Sequence, residues 1–143
     1  MDAMQISRTG LDVEWQRLQV IAQNLANVNT SRTASGAPFQ ALRLISGPTA
    51  DFASVIEQKG KAQHPRGVQV LGLEPMAGGG VRRVHEPGNP QADKDGFVTY
   101  PDIDHAGEMT LLIRTSRSYE ANLTAMNIAH QMYSRALDLG RQS

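Results

Sequence analysis

The chain has 143 residues, with 14 Lys or Arg and 14 Asp or Glu, so its formal charge at pH 7 is zero. A chain without a basic excess provides no electrostatic reason to expect binding to nucleic acid or to an anionic membrane. It has no cysteine, which excludes disulfides, thiolate metal sites and a cysteine nucleophile. The first residues lack the basic start and apolar run of a secretory signal peptide, and no stretch is apolar enough to span a bilayer.

The apolar residues of the N-terminal segment predict a helix over about residues 2–28. One row of them recurs every seven residues, which is the spacing of a coiled-coil seam, and it consists of Met4, Leu11, Leu18 and Leu25, with Trp15 and Ala22 beside it. A second row has the same spacing but is offset by two residues, about 200° around the helix. It consists of Ile6, Val13 and Val20.

Two apolar rows on nearly opposite faces require two covering partners, because a helix that is apolar on both sides is normally buried on both sides. A helical hairpin within one chain covers one row, and the sequence contains no third long helix. We therefore interpret the second row as a contact with neighbouring subunits. The alternative is a monomeric hairpin with some ordinary exposed aliphatic side chains, and the periodicity alone leaves it open.

The middle of the chain predicts β structure. All seven prolines lie between Pro38 and Pro101, and ten of the 13 glycines lie between Gly36 and Gly96, so the helix breakers are concentrated there. Alternating apolar residues and turn pairs such as Asp95-Gly96 predict strands over about residues 39–45, 67–73, 81–85 and 97–100. Residues 50–61 are ambiguous between a helical turn and a loop.

The C-terminal segment predicts a second helix over about residues 107–139. Its proposed seam alternates spacings of three and four residues and consists of Met109, Leu112, Ser116, Tyr119, Leu123, Met126, His130, Tyr133 and Leu137. A row of small residues recurs every seven positions and would allow another helix to approach closely. It consists of Thr115, Asn122, Ala129 and Ala136.

These elements predict an α+β fold with two parts. Residues 1–30 and 106–143 form a coiled-coil-like core domain of two long terminal helices, and residues 31–105 form a small β-rich middle domain. We expect packing within one subunit between Met4, Leu11, Trp15, Leu18 and Leu25 of the first helix and Leu112, Tyr119, Leu123, Met126 and Tyr133 of the second. We expect subunit contacts through Ile6, Val13, Val20, Ala129 and Ala136.

Signals of catalysis are weak in this sequence. His85-Glu86 followed by Asp93 and Asp95 is a weak signal of a metal or general-base site. The stretches Pro87-Gly88-Asn89-Pro90 and Asp93-Lys94-Asp95-Gly96 are both typical of turns, in which Asp and Asn side chains bond to local backbone. The EF-hand, phosphate-loop and zincin spacings are absent from the sequence. We therefore predict no enzyme activity, no metal, no cofactor and no small-molecule substrate.

Three motifs together resemble a known family, the FlgC proximal rod proteins of the bacterial flagellar basal body. The first is Asn24-Leu25-Ala26-Asn27 with Thr30, and the second is Glu86-Pro87-Gly88-Asn89-Pro90-Gln91-Ala92-Asp93 with Gly96-Phe97-Val98 and Pro101. The third is Glu108-Met109 with Arg117-Ser118-Tyr119-Glu120-Ala121-Asn122, followed by Ala136-Leu137 and Gly140. The resemblance covers nearly the whole chain, but Asp102-Ile103-Asp104 stands where Pro-Asn-Val-Asp or similar is common.

The resemblance implies a structural subunit that polymerises through its terminal helices into a tubular rod, with the helices lining the core and the middle domain outside. It implies export without a cleaved signal peptide through the flagellar type III apparatus. It also implies a place in the periplasmic rod, beside copies of itself, other rod proteins, and the inner-membrane ring with its rod adaptor. The remaining alternatives are another rod or hook protein, a soluble coiled-coil adaptor, and a hydrolase that uses His85, Glu86 and Asp93.

Overall fold

A computed structural model of the chain describes residues 3–49 and 67–141 and has an α+β fold, as predicted. Within these two ranges, a helix lies at each end and four strands lie between them. The elements are α1 (Ala3–Ala26), β1 (Leu42–Pro48), β2 (Val68–Pro75), β3 (Val81–His85), β4 (Phe97–Pro101) and α2 (His105–Arg141). The four predicted strands and both predicted helices are therefore confirmed, with shifts of a few residues at their ends. The ambiguous stretch 50–61 lies outside the described residues.

Helix α1 ends at Ala26 because the next residue provides a cap. The Asn27 amide donates to the carbonyl of Gln23 at 2.8 Å, and its backbone N–H reaches the same carbonyl at 3.1 Å. Thr30 then donates its hydroxyl to the Asn27 side-chain oxygen at 2.9 Å. These bonds satisfy polar groups that a helix end leaves without intrahelical partners, so the chain turns at Asn27.

Helix α2 begins after Asp104. The Glu108 backbone N–H donates to the Asp104 carbonyl at 2.9 Å, which closes the first turn. A Cβ at Gly107 would lie 2.5 Å from a carboxylate oxygen of Asp104, so the acidic side chain folds over the first turn of the helix. An acidic residue at this position is favourable for capping and for the helix dipole.

The four strands form two separate two-stranded sheets, β1 with β2 and β3 with β4. The β3–β4 pair is antiparallel and in register from Val81 opposite Pro101 to His85 opposite Phe97. Backbone hydrogen bonds join Thr49 to Gly67 and Met76 to Ala41, at 2.9 Å each. The start of β1 therefore lies beside the end of β2, so this pair is also antiparallel.

The chain divides into two compact units, each of which combines helix and strand segments. Unit 1 consists of Met1–Gln16, Ile45–Gly72 and Thr115–Ser143, and unit 2 consists of Arg17–Leu44 and Leu73–Arg114. The buried apolar side chains include Leu11 and Val13 in unit 1, and Val20, Ile21, Leu44, Val98 and Ile103 in unit 2. Within residues 3–49 and 67–141, neither helix has the length and apolarity needed to cross a membrane.

The burial of Val13 and Val20 corrects the expectation that the second row of α1 is free for subunit contacts. Val13 is only 4% exposed and Val20 is also buried, although Ile6 of the same row is exposed. The sequence argument assumed that only a third helix could cover this face. In unit 2, however, Val20 and Ile21 line a pocket together with Leu42 and Leu44 of β1, so strand residues lie beside this part of the face.

Helices α1 and α2 run antiparallel in unit 1, but α2 extends further. A Cβ at Gly10 would lie 3.1 Å from the Asn122 carboxamide, and the Trp15 and Tyr119 ring centroids are 6.3 Å apart. At 1.5 Å of rise per residue, the first residue of α1 therefore comes opposite about residue 130 of α2. The following segment, residues 131–141, is named the α2 extension, and every residue in it is exposed.

Candidate functional site

A buried polar network joins α1, β1 and α2 within unit 2. The Asn24 carboxamide donates to the Leu42 carbonyl at 2.9 Å and accepts from the Leu42 N–H at 3.1 Å. The same amide nitrogen donates to the Glu108 carboxylate at 3.2 Å. The Asn24 side chain thus bonds to both the N–H and the carbonyl of Leu42 and also to Glu108 of α2. An asparagine suits this position because its carboxamide both donates and accepts hydrogen bonds.

The Glu108 carboxylate of this network is paired as well as buried. Its side chain is 1% exposed, and both guanidinium nitrogens of Arg43 bond to it, one of them at 3.0 Å. A buried charge is tolerated when it is paired and hydrogen-bonded. Removal of one partner would leave the others without bonds in a dry environment, which is strongly unfavourable. The network therefore specifies how the helices meet the β1 strand.

The Glu86–Asp93 motif forms a hydrogen-bonded turn between β3 and β4. Glu86 accepts hydrogen bonds from Asn89 and from the Tyr100 hydroxyl, both at 2.9 Å. Asp93 accepts the backbone N–H groups of Asp95 and Phe97 at 2.9 Å. Gly96, with φ of 78°, supplies the left-handed conformation that closes the turn.

Hydrogen bonds in this turn shift the ionisation of three side chains. The bonds from Asn89 and Tyr100 lower the pKa of Glu86 below its usual 4.5. The bond from the Phe97 backbone is the largest cause of a lowered pKa at Asp93, normally 3.8. The pKa of Tyr100 is raised, chiefly because its hydroxyl donates to Glu86. Both carboxylates are held in the ionised form by structural bonds, which makes them poor general bases near neutral pH.

The turn therefore offers little support for the hydrolase alternative. The His85 ring lies against Phe97, with 5.0 Å between ring centroids, and Arg83 forms an ion pair with Asp93. Among the residues that the structure describes, no group of three or more His, Asp or Glu side chains is arranged to hold a metal ion. The Glu-Pro-Gly-Asn-Pro motif has a structural explanation in the turn itself.

A second contact site lies in unit 1, where the two helices meet the start of β2. The Thr9 hydroxyl donates to the Ile6 carbonyl at 2.7 Å and accepts the Val68 N–H at 3.1 Å. Gly67, with φ of 123°, approaches Thr9 so closely that a Cβ there would lie 2.4 Å from the hydroxyl oxygen. The adjacent Gly10 is the buried position against which Asn122 lies.

An apolar pocket of about 190 Å³ opens on unit 2 between α1, β1 and α2. Its walls include the buried side chains of Val20, Ile21 and Leu44, together with Leu111 of α2. Two arginines and no carboxylate are among its lining residues. The full set is Arg17, Val20, Ile21, Leu42, Arg43, Leu44 and Leu111.

The face of α2 turned towards the rest of the chain differs from the predicted seam. Most of its covered positions lie in two rows of heptad spacing: Glu108, Thr115, Asn122 and Ala129, and Leu112, Tyr119 and Met126. Leu111 and Ser116 are partly covered as well. In the small row, Thr115 is buried and Ala129 is partly covered within the chain, so the subunit contact expected at Ala129 stays a prediction. Only Ala136 of this row is exposed, because it lies in the α2 extension.

Several predicted seam residues are not covered in the chain. Trp15 is 54% exposed although it contacts Tyr119, while Leu123 and Tyr133 are also exposed. Met4, Leu18 and Leu25 of α1 are partly covered, and Leu11 is buried. The seam is thus rotated relative to the prediction, because the helices approach each other at Gly10 and Asn122 rather than at the largest apolar side chains.

The remaining motif residues fall on the surface or in turns. Asn89 and Ala92 are partly covered within the turn, whereas Pro87, Pro90 and Asp93 are exposed. In the third motif Tyr119 and Asn122 face α1, and Arg117, Glu120 and Ala121 are exposed. Ala26 is exposed at the end of α1. The motifs therefore combine covered and exposed residues, and exposed Asp93 still bonds within the turn.

Sequence reasoning missed the roles of Arg43, Glu108, Thr9 and Gly10. The position of Glu108 could have been recognised, because it lies seven residues before Thr115, on a row of α2 that is largely covered. Gly10 could have been recognised as the only glycine between residues 1 and 35. Arg43 and Thr9 carried no such signal, since their partners are 65 and 59 residues distant in sequence.

Comparison with known proteins gives one consistent family. Residues 94–139 match the family model described as the C-terminal region of the flagellar basal body rod proteins FlgEFG. The flagellar basal-body rod protein FlgC of Salmonella typhimurium is 32% identical over 142 residues, which cover 99% of this chain and 98% of the relative. The FlgC proteins of Borreliella burgdorferi and Bacillus subtilis are 32% and 29% identical, over 94% and 97% of this chain and 93% and 97% of their own lengths.

Proposed function

Because the chain belongs to the FlgC family of flagellar basal-body rod proteins, we propose that it assembles through its terminal helices, with the α2 extension as the principal contact. It is a structural subunit of the proximal rod of the bacterial flagellum and is located in the basal body. Its family implies assembly with copies of itself and with other rod components.

The observation that carries the proposal is the exposed apolar surface of the α2 extension. Met132 is 66% exposed and Leu139 is 71% exposed. Tyr133 continues the row of Leu112, Tyr119 and Met126, but it lies beyond the start of α1 and is exposed, as is Leu137 four residues later. Ile128, Met132 and Leu139 lie on another face of the helix, roughly 130° away. A helix that is apolar on two faces requires partners on both, and a polymer supplies them.

The finer features of the role follow from the family. The core domain of residues 1–30 and 106–143 lines the inside of the rod, and the middle domain of residues 31–105 forms its outer layer. The rod lies in the periplasmic space and contacts the inner-membrane ring and its rod adaptor. The chain reaches it through the flagellar export apparatus without signal cleavage, which mass spectrometry of the assembled subunit would test through the mass of its N-terminal peptide.

The chain has no catalytic role in this proposal. Its support is the state of Glu86 and Asp93, the two carboxylates of the hydrolase alternative, which are engaged in turn hydrogen bonds. A soluble coiled-coil adaptor, the other alternative, predicts a discrete oligomer in solution that light scattering would detect. Another rod or hook protein would share the helix surfaces but occupy a different part of the axial structure.

The test is Met132→Asp in a bacterium that has this chain as its sole rod protein of this type. A carboxylate on the exposed apolar face opposes burial against a neighbour but touches little in the single chain. We expect rods, and therefore motility, to be lost, while the free energy of unfolding of the purified chain changes by less than about 0.5 kcal/mol.

The matched control is Asn127→Asp, which introduces the same charge at an exposed polar position of the same helix. It should retain motility and basal bodies in electron micrographs. Normal rods in the Met132→Asp strain would contradict the role of the α2 extension, whereas loss of rods in both strains would show that any charge on α2 interferes.

A further inference from the structure

We propose that an uncharged face in the second half of α1 packs on an uncharged apolar face of α2 in a neighbouring copy of the chain. The first is named the Ala22–Ala26 face and consists of Leu18, Ala22, Leu25 and Ala26. The second is named the Ile128–Met132 face and consists of Ala121, Ala125, Ile128 and Met132. The inference rests on the proposed function, because it names the surface that receives α2 in the rod.

Both faces belong to stretches of the chain without charge. The two longest runs of the sequence that contain no Asp, Glu, Lys or Arg are residues 18–31 and residues 121–134, and these runs are equally long. The exposed side of a helix normally carries charged side chains, whereas the core of a protein interface is depleted in them. Because neither face carries a charge, their contact desolvates no charged group and brings no like charges together.

Both faces are open to solvent in the part of the chain that the structure describes. Ala22 and Ala26 are exposed, and the two leucines of the same face are partly covered. On α2, Ile128 is 52% exposed and Met132 is 66% exposed, and the two alanines of that face are exposed as well. The two faces therefore combine exposure with the composition of a buried contact.

The two faces also have complementary shapes. Ala22 and Ala26 are four residues apart on α1, and Ile128 and Met132 have the same spacing on α2, so each pair lies on one row of its helix. Helices pack by placing the row of side chains of one helix into the groove of the other. The small row of α1 leaves room for the large row of α2.

Each face has a different neighbour within its own chain. Asn24, in the first uncharged run, bonds to Glu108 near the start of α2 at 3.2 Å. Gly10, near the start of α1, lies against Asn122 in the second run. With the same antiparallel sense, residues 18–26 come opposite residues 121–134 only in a second copy. That copy is displaced along the helix by about 17 residues, which corresponds to about 25 Å.

The displacement makes the contact heterologous, since two different surfaces of the same chain meet. Such contacts form rings where the rotation between copies closes and open helical filaments where it does not. A staggered contact of α1 with the next copy's α2 therefore propagates from subunit to subunit, as an axial structure requires.

The experiment uses the absence of cysteine from the natural chain. One gene supplies Ala22→Cys and a second gene supplies a single cysteine on α2, so that a disulfide between the two variants joins two copies. Both are expressed together with the wild-type chain, so that mixed rods form even where a variant assembles poorly alone. Mild oxidation of isolated basal bodies, followed by non-reducing electrophoresis, reveals linked dimers, because a disulfide requires Cα atoms within about 7 Å.

The α2 cysteine is placed in turn on two sides of the helix. The test set on the Ile128–Met132 face consists of Ala125→Cys, Ile128→Cys and Met132→Cys. The matched control set moves each cysteine back by one residue, about 100° around the helix, and consists of Thr124→Cys, Asn127→Cys and Gln131→Cys. Every one of these positions is exposed. We expect linked dimers of Ale22→Cys with the test set and none with the control set.

Three results would overturn the contact. The first is no linked dimer with either set, and the second is an equal yield of dimers with both sets. The third is a linked dimer in a strain whose only cysteine variant is Ala22→Cys, because the α1 faces would then meet each other. Rods still form in all these strains, and the proposed function is tested separately by the Met132→Asp strain, so the two proposals fail independently.

Discussion

The two ends of α2 have opposite environments: a charged side chain is buried near the start, and apolar side chains are exposed near the end. Near its start, Glu108 is buried in a network of hydrogen bonds with Asn24 and Arg43. At its other end, Met132 and Leu139 are apolar and exposed. A usual globular protein buries its apolar side chains and exposes its charges. The difference shows that the polar end specifies the fold of one chain, while the apolar end is available to other chains.

The largest effect should come from Val13→Asp, which tests whether α1 belongs to the internal side of this comparison. Val13 is almost fully buried, so an aspartate there would place an unpaired charge in the core. We expect a loss of more than about 4 kcal/mol in the free energy of unfolding, measured by urea denaturation. If the purified variant folds normally and only assembly fails, Val13 is an interface residue after all.

Glu108→Ala should have the next largest effect, since it breaks the polar end of α2. It leaves Arg43 without its buried partner and removes one acceptor from Asn24, for a cost of about 2–4 kcal/mol. Glu120→Ala on the exposed side of the same helix is the control and should cost less than about 0.5 kcal/mol. Similar urea midpoints for the two variants would mean that the network adds nothing to stability.

Gly10→Ala probes the close approach of the helices before the extension begins. A Cβ would meet the Asn122 carboxamide at 3.1 Å, and overpacking outweighs the gain in helix propensity for a net cost of about 1 kcal/mol. In a double-mutant cycle, Asn122→Ala should recover at least about 0.5 kcal/mol of it. Strict additivity of the two substitutions would mean that they do not interact.

The smallest expected effect is that of low pH, which should destabilise the β3–β4 turn and leave the apolar end of α2 unchanged. The pKa values of Glu86 and Asp93 are lowered on folding, so their contribution is present above the unfolded values of 4.5 and 3.8 and is lost as pH falls through the folded ones. The protection of the Phe97 amide from hydrogen exchange, taken relative to an unfolded peptide at the same pH, should therefore fall as the pH drops below 3.8.

Asn89→Ala removes the principal hydrogen-bond donor to Glu86. It should move the loss of protection at the Phe97 amide to higher pH. Asn127→Ala, on α2 and distant in sequence from the turn, serves as its control. An identical pH profile in wild type and the Asn89→Ala variant would show that the turn does not depend on the ionisation of Glu86.

Local signals in the sequence were sufficient for the elements of the fold. Heptad spacing identified both helices, and proline and glycine density identified the middle, because these depend on neighbours within a few residues. The turn at Asp93–Gly96 was found for the same reason. The family resemblance likewise rested on contiguous motifs, and the relatives bear it out over nearly the full length.

The tertiary structure alone decided which side of each helix is covered. A heptad shows that apolar rows exist, but it does not show which row meets which partner. Val20 was assigned to subunit contacts because nothing in the sequence reveals that Leu42 and Leu44 of β1 lie beside it. Val13 was assigned in the same way and is also buried. The helices approach at Gly10 and Asn122, where small and polar side chains allow close contact, and Trp15 remains exposed. Tyr133 is exposed because it lies in the α2 extension, beyond the start of α1. Sequence thus determined the apolar surface of this protein, and long-range contacts such as Asn24 with Leu42 and Glu108 determined how much of it is left for assembly.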